Sequence, residues 1–335
     1  MDPRGGTGID RAILATMIYT VTLNPALDRE LTVPTLIFDE VLRAAESRVD
    51  CGGKGFNVSR MLSALGAPSI ALGFAGGHTG EMLRDGLTAL GVDTDFVWIA
   101  GETRTNISVV AAGHEHHIKV NEAGPSITAD EQAALRARVL ERARHGDWWV
   151  LAGSLPPGVA PTFYADLIRD IQAAGARVLL DTSGAALRHG CAAQPFLAKP
   201  NAAEVGELTN ISVMSINQAL AAAEALSGIP NLVISMGAAG ALLVHTGHGW
   251  LATPPAIQQR NPIGAGDSLV AGLVWGLSQG YTLTETLSWG VACGAATAAH
   301  AGTAVGAYAE VAEIVRQVAV HEVMAAISYP KDRAT

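Results

Sequence analysis

With 335 residues, 49% of them hydrophobic and 16% charged, the chain can bury one large α/β domain or two ordinary ones, and its composition is not that of a disordered protein. A net charge of −9 argues against a nucleic-acid partner, which needs a basic patch. Cys51, Cys191 and Cys293 are far apart and form no CxxC pair, which suits a reducing cytoplasm and supplies neither a disulfide framework nor a zinc site.

Residues 1–16 read as a disordered N-terminal extension. Met17 directly precedes a strong strand, which points to an upstream start or an added segment. No apolar run reaches the roughly 18–20 residues of a membrane helix, so no membrane partner is expected. The β-branched and aromatic run 18–23 is a buried strand ending at Asn24-Pro25, with Asp28 just beyond it. Ligands bind at that edge of open α/β sheets, although a surface turn would place an aspartate there too. Residues 31–49 show short alternating pieces without a helical stripe, as in a flap outside the main sheet. Gly52-Gly53-Lys54-Gly55-Phe56-Asn57 then opens onto a helix through Val58, Met61, Leu62 and Leu65. This loop lacks P-loop order, because Gly55 follows the lysine. It is either a structural turn or a ligand contact. A short strand over 70–74 and a helix ending near Leu90 follow. The alternation from Thr103-Arg104-Thr105-Asn106 through Ala111, returning at Ile118 and Val120, predicts a hairpin with His114, His116 and His117 at its turn.

From about residue 128 strands and helices alternate regularly. Helices are predicted over 130–144, 161–174, 216–227, 283–301 and 311–326, and from Glu204. Strands are predicted over 148–152, 177–181, 196–198, 232–235, 242–245 and 250–252. Such alternation implies a mostly parallel sheet covered on both faces. Residues 327–335 read as a tail. The final Gly-rich stretch, Pro262-Ile263-Gly264-Ala265-Gly266-Asp267-Ser268, opens onto an apolar helix. Its bare N–H groups and the helix dipole make an anion site, at which Asp267 is either a helix cap or a carboxylate base. No GxGxxG, GxSxG or HExxH pattern occurs.

Seven blocks occur in order: TLNPALD (22–28), GGKGFN (52–57), TRTN (103–106), GSLPPG (153–158), KPNAAE (199–204), SMGAAG (235–240) and GAGDS (264–268). Together they resemble the ribokinase-like (PfkB) carbohydrate kinases, in the branch of 1-phosphofructokinase and tagatose-6-phosphate kinase. The resemblance implies a three-layer αβα sandwich with a small β-sheet lid. The core would comprise 17–28, 52–102 and 121–326, and the lid 29–51 and 103–120, with a homodimer contact through the lid. It implies ATP and Mg²⁺ as cofactors and a sugar phosphate as acceptor. Asp267 would be the base, and the N–H groups of Gly264, Ala265 and Gly266 the anion hole. Asp28, Gly53, Asn57 and Ser154 would face the sugar, while Arg104 and Lys54 would hold its phosphate. Lys199, Asn201, Ser235, Gly237, Gly240, Gly290, Val291, Gly294 and Ala295 would border the nucleotide, and Asn201 with Glu204 would arrange the metal. Two departures stand out. Pro262 occupies a position usually held by Thr or Ser. Val41 replaces a substrate lysine of the minor 6-phosphofructokinase type, which argues against fructose 6-phosphate. The block pattern favours fructose 1-phosphate over tagatose 6-phosphate. A catalytically silent sugar-phosphate-binding protein would not need the intact Asp267, Asn201 and Glu204.

Overall fold

The computed structural model describes residues 16–112 and 116–323. Most of the extension, the tail and His114 lie outside the described residues.

The first strand, β1 (Ile18–Thr22), is fully buried inside a ten-stranded sheet, third from one edge. β2 (Ala26–Val33) and β3 (Glu46–Gly52) leave this sheet and pair antiparallel with each other. α1 (Lys54–Ala64) returns the chain to β4 (Ser69–Ala75), and α2 (Gly77–Ala89) leads to β5 (Asp93–Trp98) at the sheet's edge. The predicted hairpin forms β6 (Arg104–Ala111) and β7 (His117–Asn121), paired antiparallel. β6 also lies parallel to β2, which completes a separate four-stranded sheet in the order β3-β2-β6-β7. Asp28 therefore sits within this small sheet, and not in a loop of the large one. The small sheet begins at Ala26 and ends at Asn121, slightly outside the expected boundaries.

The alternating half supplies α3 (Ala129–Arg142), β8 (Trp148–Ala152), α4 (Phe163–Ala173), β9 (Arg177–Asp181), α5 (Gly184–Ala192) and β10 (Leu197–Ala198). It continues with α6 (Ala202–Thr209), α7 (Ile216–Glu224), β11 (Asn231–Ser235), β12 (Ala241–His245) and β13 (His248–Thr253). α8 (Ala265–Ser278), α9 (Leu283–Ala299), α10 (Tyr308–Val315) and β14 (Ala319–Val323) close the described chain. The large sheet runs β14-β13-β12-β11-β10-β9-β8-β1-β4-β5, parallel from β11 to β5 and antiparallel from β11 to β14.

Two apolar layers cover its faces. One gathers Leu135, Val139, Tyr164, Leu167 and Ile168 of α3 and α4 under the Tyr19–Trp149 stack, whose rings are 4.3 Å apart. The other gathers Val58, Met61 and Leu62 of α1 with α8 and α9. Two-sided burial explains why the central strands read as continuous apolar runs. The spacing predicts one helix over 311–326, but the helix stops at Val315 and 319–323 form β14, hydrogen-bonded along β13. Sheet pairing there overrides a weak local helical preference. Residues 324–326 lie outside the described residues.

Candidate active site

The loop before α8 is shaped by its own backbone. Gly264 is the N-cap in a left-handed conformation (φ 79°), which side-chain-bearing residues adopt at a cost. The Ala265 N–H donates to Pro262 O at 3.2 Å, and the Ser268 N–H to Gly264 O at 2.9 Å. The N–H groups of Gly264, Gly266 and Asp267 are left as the open donors, so Ala265, expected among them, is spent inside the turn. Pro262 contributes the carbonyl that closes this turn, a role that needs neither a hydroxyl nor an N–H.

Asp267 follows in the first turn, 8% exposed. Its Oδ2 accepts a 2.7 Å bond from Asn57 Nδ2 of α1. Burial pushes its pKa up to about 6. The Asp181 carboxylate adds to this, while the Asn57 bond, Lys54 and Lys199 pull it back. Gly264, and not Asp267, occupies the N-cap, and the Asp267 carboxylate bonds Asn57 in place of a helix-end N–H. Around it lies a charge cluster drawn from three distant segments. Asp181, at the carboxyl end of β9 and 1% exposed, accepts from Lys54 Nζ at 3.2 Å and Lys199 Nζ at 3.3 Å, both on Oδ1. Its Oδ2 is buried without a partner. Lys199 is 4% exposed, and its amine lies near the Gly266 backbone. Burial lowers the Lys54 pKa, but Asp181, Asp267 and Glu204 outweigh this and hold it above the ordinary value. Asp181 was detectable in principle: it is a carboxylate ending a buried parallel strand, at the edge where ligands bind.

Lys54 and Arg104, expected as a cationic pair, have separate partners. The Arg104 guanidinium is held by main-chain carbonyls, with Nη2 donating to Asn24 O (2.9 Å) and Nη1 to Glu122 O (2.8 Å). It lies on β6 opposite Ala26, two residues from Asn106, which pairs with Asp28. Asn106 Nδ2 donates to Asp28 Oδ1 at 2.8 Å, and Asn106 Oδ1 is buried and unpartnered. A Cβ on Gly52 would collide with the Asp28 carboxylate, so the glycine keeps that face open. Gly53 caps α1 without a side chain. Ser154 is exposed and lines a cavity of about 430 Å³ with Thr182 and Ser183.

Asn201 and Glu204 form a reciprocal capping box on α6. Glu204 N–H donates to Asn201 Oδ1 (2.9 Å), and Asn201 N–H to Glu204 Oε2 (2.8 Å). Asn201, Ser235 and Gly237 line a cavity of about 690 Å³ with Met214 and Met236. Gly240 is buried and does not line this cavity; a Cβ there would strike Ala252 O. Gly290, Val291, Gly294 and Ala295, expected beside the nucleotide base, are all buried in α9. Gly290 and Gly294 face α8, where a Cβ would meet Leu273 and Ala265 O at 3.0 Å. Their smallness therefore serves the close α8–α9 packing that seats the loop.

The model of the "pfkB family carbohydrate kinase" matches residues 21–309. This chain belongs to that family. The 1-phosphofructokinase of Borreliella burgdorferi is 36% identical over 285 residues, covering 84% of this kinase and 92% of the relative. A tagatose-6-phosphate kinase of Staphylococcus epidermidis is 33% identical over 312 residues, covering 92% and 100%. Among solved structures, phosphofructokinase-2 from Escherichia coli in complex with potassium superposes with a TM-score of 0.86. It is 31% identical and covers 90% of this kinase and 99% of that chain. The kinase is therefore a phosphotransferase acting on a sugar hydroxyl, of a family that uses ATP with a divalent cation.

The residues fit such a cation. Among the described residues no three His, Cys, Asp or Glu side chains gather as a dedicated cage. Glu204 nevertheless keeps Oε1 outside its capping box, and Asp181 Oδ2 is an orphaned carboxylate oxygen. A magnesium ion, which keeps several waters and leans on substrate phosphates, needs no more than one or two carboxylates. No described helix is long and apolar enough to cross a membrane.

Proposed function

We propose that the kinase phosphorylates fructose 1-phosphate to fructose 1,6-bisphosphate at the expense of ATP. The observation that carries the chemistry is the buried Asp267 carboxylate at the N-terminus of α8, flanked by open N–H donors and by Lys199. The acceptor hydroxyl lies against Asp267 and its oxygen attacks the γ-phosphorus. The bond to the bridging oxygen of ADP breaks, and the hydroxyl proton passes to Asp267. Gly264, Gly266 and Asp267 N–H groups and the Lys199 amine meet the charge on the transferring group, the preorganised stabilisation that dominates such reactions. Asn201 and Glu204 would hold Mg²⁺, which would supply charge neutralisation on the phosphate side. The nucleotide lies along Lys199, Ser235 and Gly237.

On the acceptor side, Asp28, steadied by Asn106, binds sugar hydroxyls with Gly53 and Ser154. Arg104 takes the existing phosphate with the N–H groups its carbonyl partners leave free. Lys54 serves the transferring phosphoryl side through Asp181, not the acceptor's phosphate. The small sheet is the lid over this sugar. Similarity to 1-phosphofructokinases supports the substrate, and Val41, 84% exposed, offers no cation for fructose 6-phosphate.

Tagatose 6-phosphate is the competing acceptor, favoured by the staphylococcal relative. ADP release measured with fructose 1-phosphate, tagatose 6-phosphate and fructose 6-phosphate at matched concentrations separates them. The highest kcat/KM is expected with fructose 1-phosphate; a higher value with either other sugar overturns the assignment.

A further inference from the structure

One short segment, 301–305, touches three parts of the molecule that must agree for transfer to occur. From the small sheet, the Arg48 guanidinium of β3 lies directly on Gly302 (φ 64°), in the space a Cβ there would occupy. Arg48 is braced by Asp50 (2.8 Å) and Glu30 (3.4 Å), so its head group is fixed on the sheet side. From α1, Arg60, 9% exposed, donates through Nη1 to Thr303 O and through Nη2 to Cys51 O of β3, both at 3.0 Å. From the catalytic loop, Asn261 Nδ2 donates to Gly302 O at 2.8 Å. The same amide accepts from Ile263 N–H through Oδ1 at 3.0 Å, one residue before Gly264. A cavity of about 500 Å³, lined by Arg48, Arg60, Thr303 and Val305, separates the small sheet from the core at this place. At this cleft the two meet through these polar contacts, beside the buried Cys51 of β3, which packs with Phe56 and Leu83.

We infer that Asn261 is a positioning residue for phosphoryl transfer, and that the contact chain Arg48–Gly302–Asn261 ties the open donors before α8 to the position of the small sheet. Asn261 touches no reacting group in this arrangement. It acts by holding Ile263, and so the Gly264 turn, against a segment on which the sugar-binding sheet rests. An amide is needed because one side chain must donate to Gly302 O and accept from Ile263 N–H at once. Loss of the link leaves sugar and nucleotide able to bind but misplaces the donors relative to Asp267. Misplacement of about 1 Å is enough to cost on the order of 10²-fold in rate.

The test uses the full-length enzyme with the ketose phosphate that wild type turns over best. A wrong acceptor assignment then shows in the wild type, while the link is read from variant-to-wild-type ratios. Asn261→Asp keeps the acceptor for Ile263 and loses the donor to Gly302. It is expected to lower kcat at least tenfold with acceptor and ATP KM within twofold of wild type. Arg48→Ala is expected to lower kcat three- to tenfold with the same unchanged KM values. The Arg48→Ala/Asn261→Asp double variant should fall short of the product of the single losses by threefold or more. Thermal melting accompanies each variant, and Arg48→Ala alone decides the matter if the Asn261 variants do not fold. Wild-type kcat in Asn261→Asp or in Arg48→Ala, or strictly multiplicative losses in the double variant, would overturn the inference.

Discussion

Asp267→Asn exchanges a buried carboxylate for an amide of nearly the same shape that can still accept from Asn57 Nδ2. Its effect on stability follows from the carboxylate's raised pKa. The native value of about 6 lies above the unfolded value of 3.8, so folding favours the protonated form. The native advantage of that proton is full below the unfolded pKa and is lost as pH rises between the two values. Above pH 6 the whole cost of holding a buried charge is present. At ~1.4 kcal/mol per pKa unit, the two-unit shift amounts to about 3 kcal/mol at pH 8. Roughly half of that is present at pH 5. Asparagine carries no such cost. Urea denaturation should therefore find Asp267→Asn more stable than wild type by about 2–3 kcal/mol at pH 8, with a smaller gain at pH 5. The same variant should bind ATP and lose most of kcat. An equal or lower stability at pH 8, or a gain independent of pH, would refute the reasoning about burial. Near-normal turnover would reduce Asp267 to a structural role.

Other expectations can be checked in parallel. If Asp267 is the base and must be ionised, kcat/KM should fall tenfold per pH unit below about pH 6, and a profile flat to pH 4.5 would contradict the buried Asp267. Asp181→Ala leaves Lys199 buried without its counter-charge and should cost about 3–5 kcal/mol in chemical denaturation, as removal of one partner of a buried pair does. Arg104→Ala should raise KM for the sugar phosphate by roughly 10- to 150-fold, corresponding to about 1.5–3 kcal/mol for a charge-assisted bond, with little change for ATP. An equal rise for both substrates would show that Arg104 only pins Asn24 and Glu122. Gly52→Ala should displace Asp28 and raise acceptor KM while sparing ATP, which the same initial-rate measurements report.

Much of the fold was legible because its signals are local. Strands 148–152 and 177–181 form with the predicted bounds, since two-sided burial writes itself as uninterrupted apolar sequence. The helix expected from Glu204 begins at Ala202, because Asn201 and Glu204 close a capping box. Edge elements were harder. β5 begins with Asp93 and is only partly buried, and β14 is decided by its ladder with β13, which no local window contains. The site divides in the same way. Asp267 and its loop lie in one contiguous motif. Lys54, Lys199 and Asp181 come from three distant segments, and the Lys54–Asp181 ion pair has no local sequence signal. Only the stacking of β8, β9 and β10 brings Asp181 level with both lysines. The Ala265 N–H was misassigned for a different reason: a Gly-rich loop advertises open donors without saying which one its own turn consumes.

The lysine-bridging aspartate also sets how the site keeps its protons. Lys54 and Lys199 balance Asp181 and Asp267, so the cluster is close to neutral when Asp267 is ionised. At the proposed nucleotide position a triphosphate would bring several negative charges to this cluster and compete for the same two ammonium groups. Its arrival weakens the attraction that keeps Asp267 ionised and raises that group's proton affinity further. Nucleotide binding near pH 6 is therefore linked to proton uptake, so the heat of binding should vary with the ionisation enthalpy of the buffer. Binding of the sugar phosphate at Arg104, outside the cluster, should take up far fewer protons.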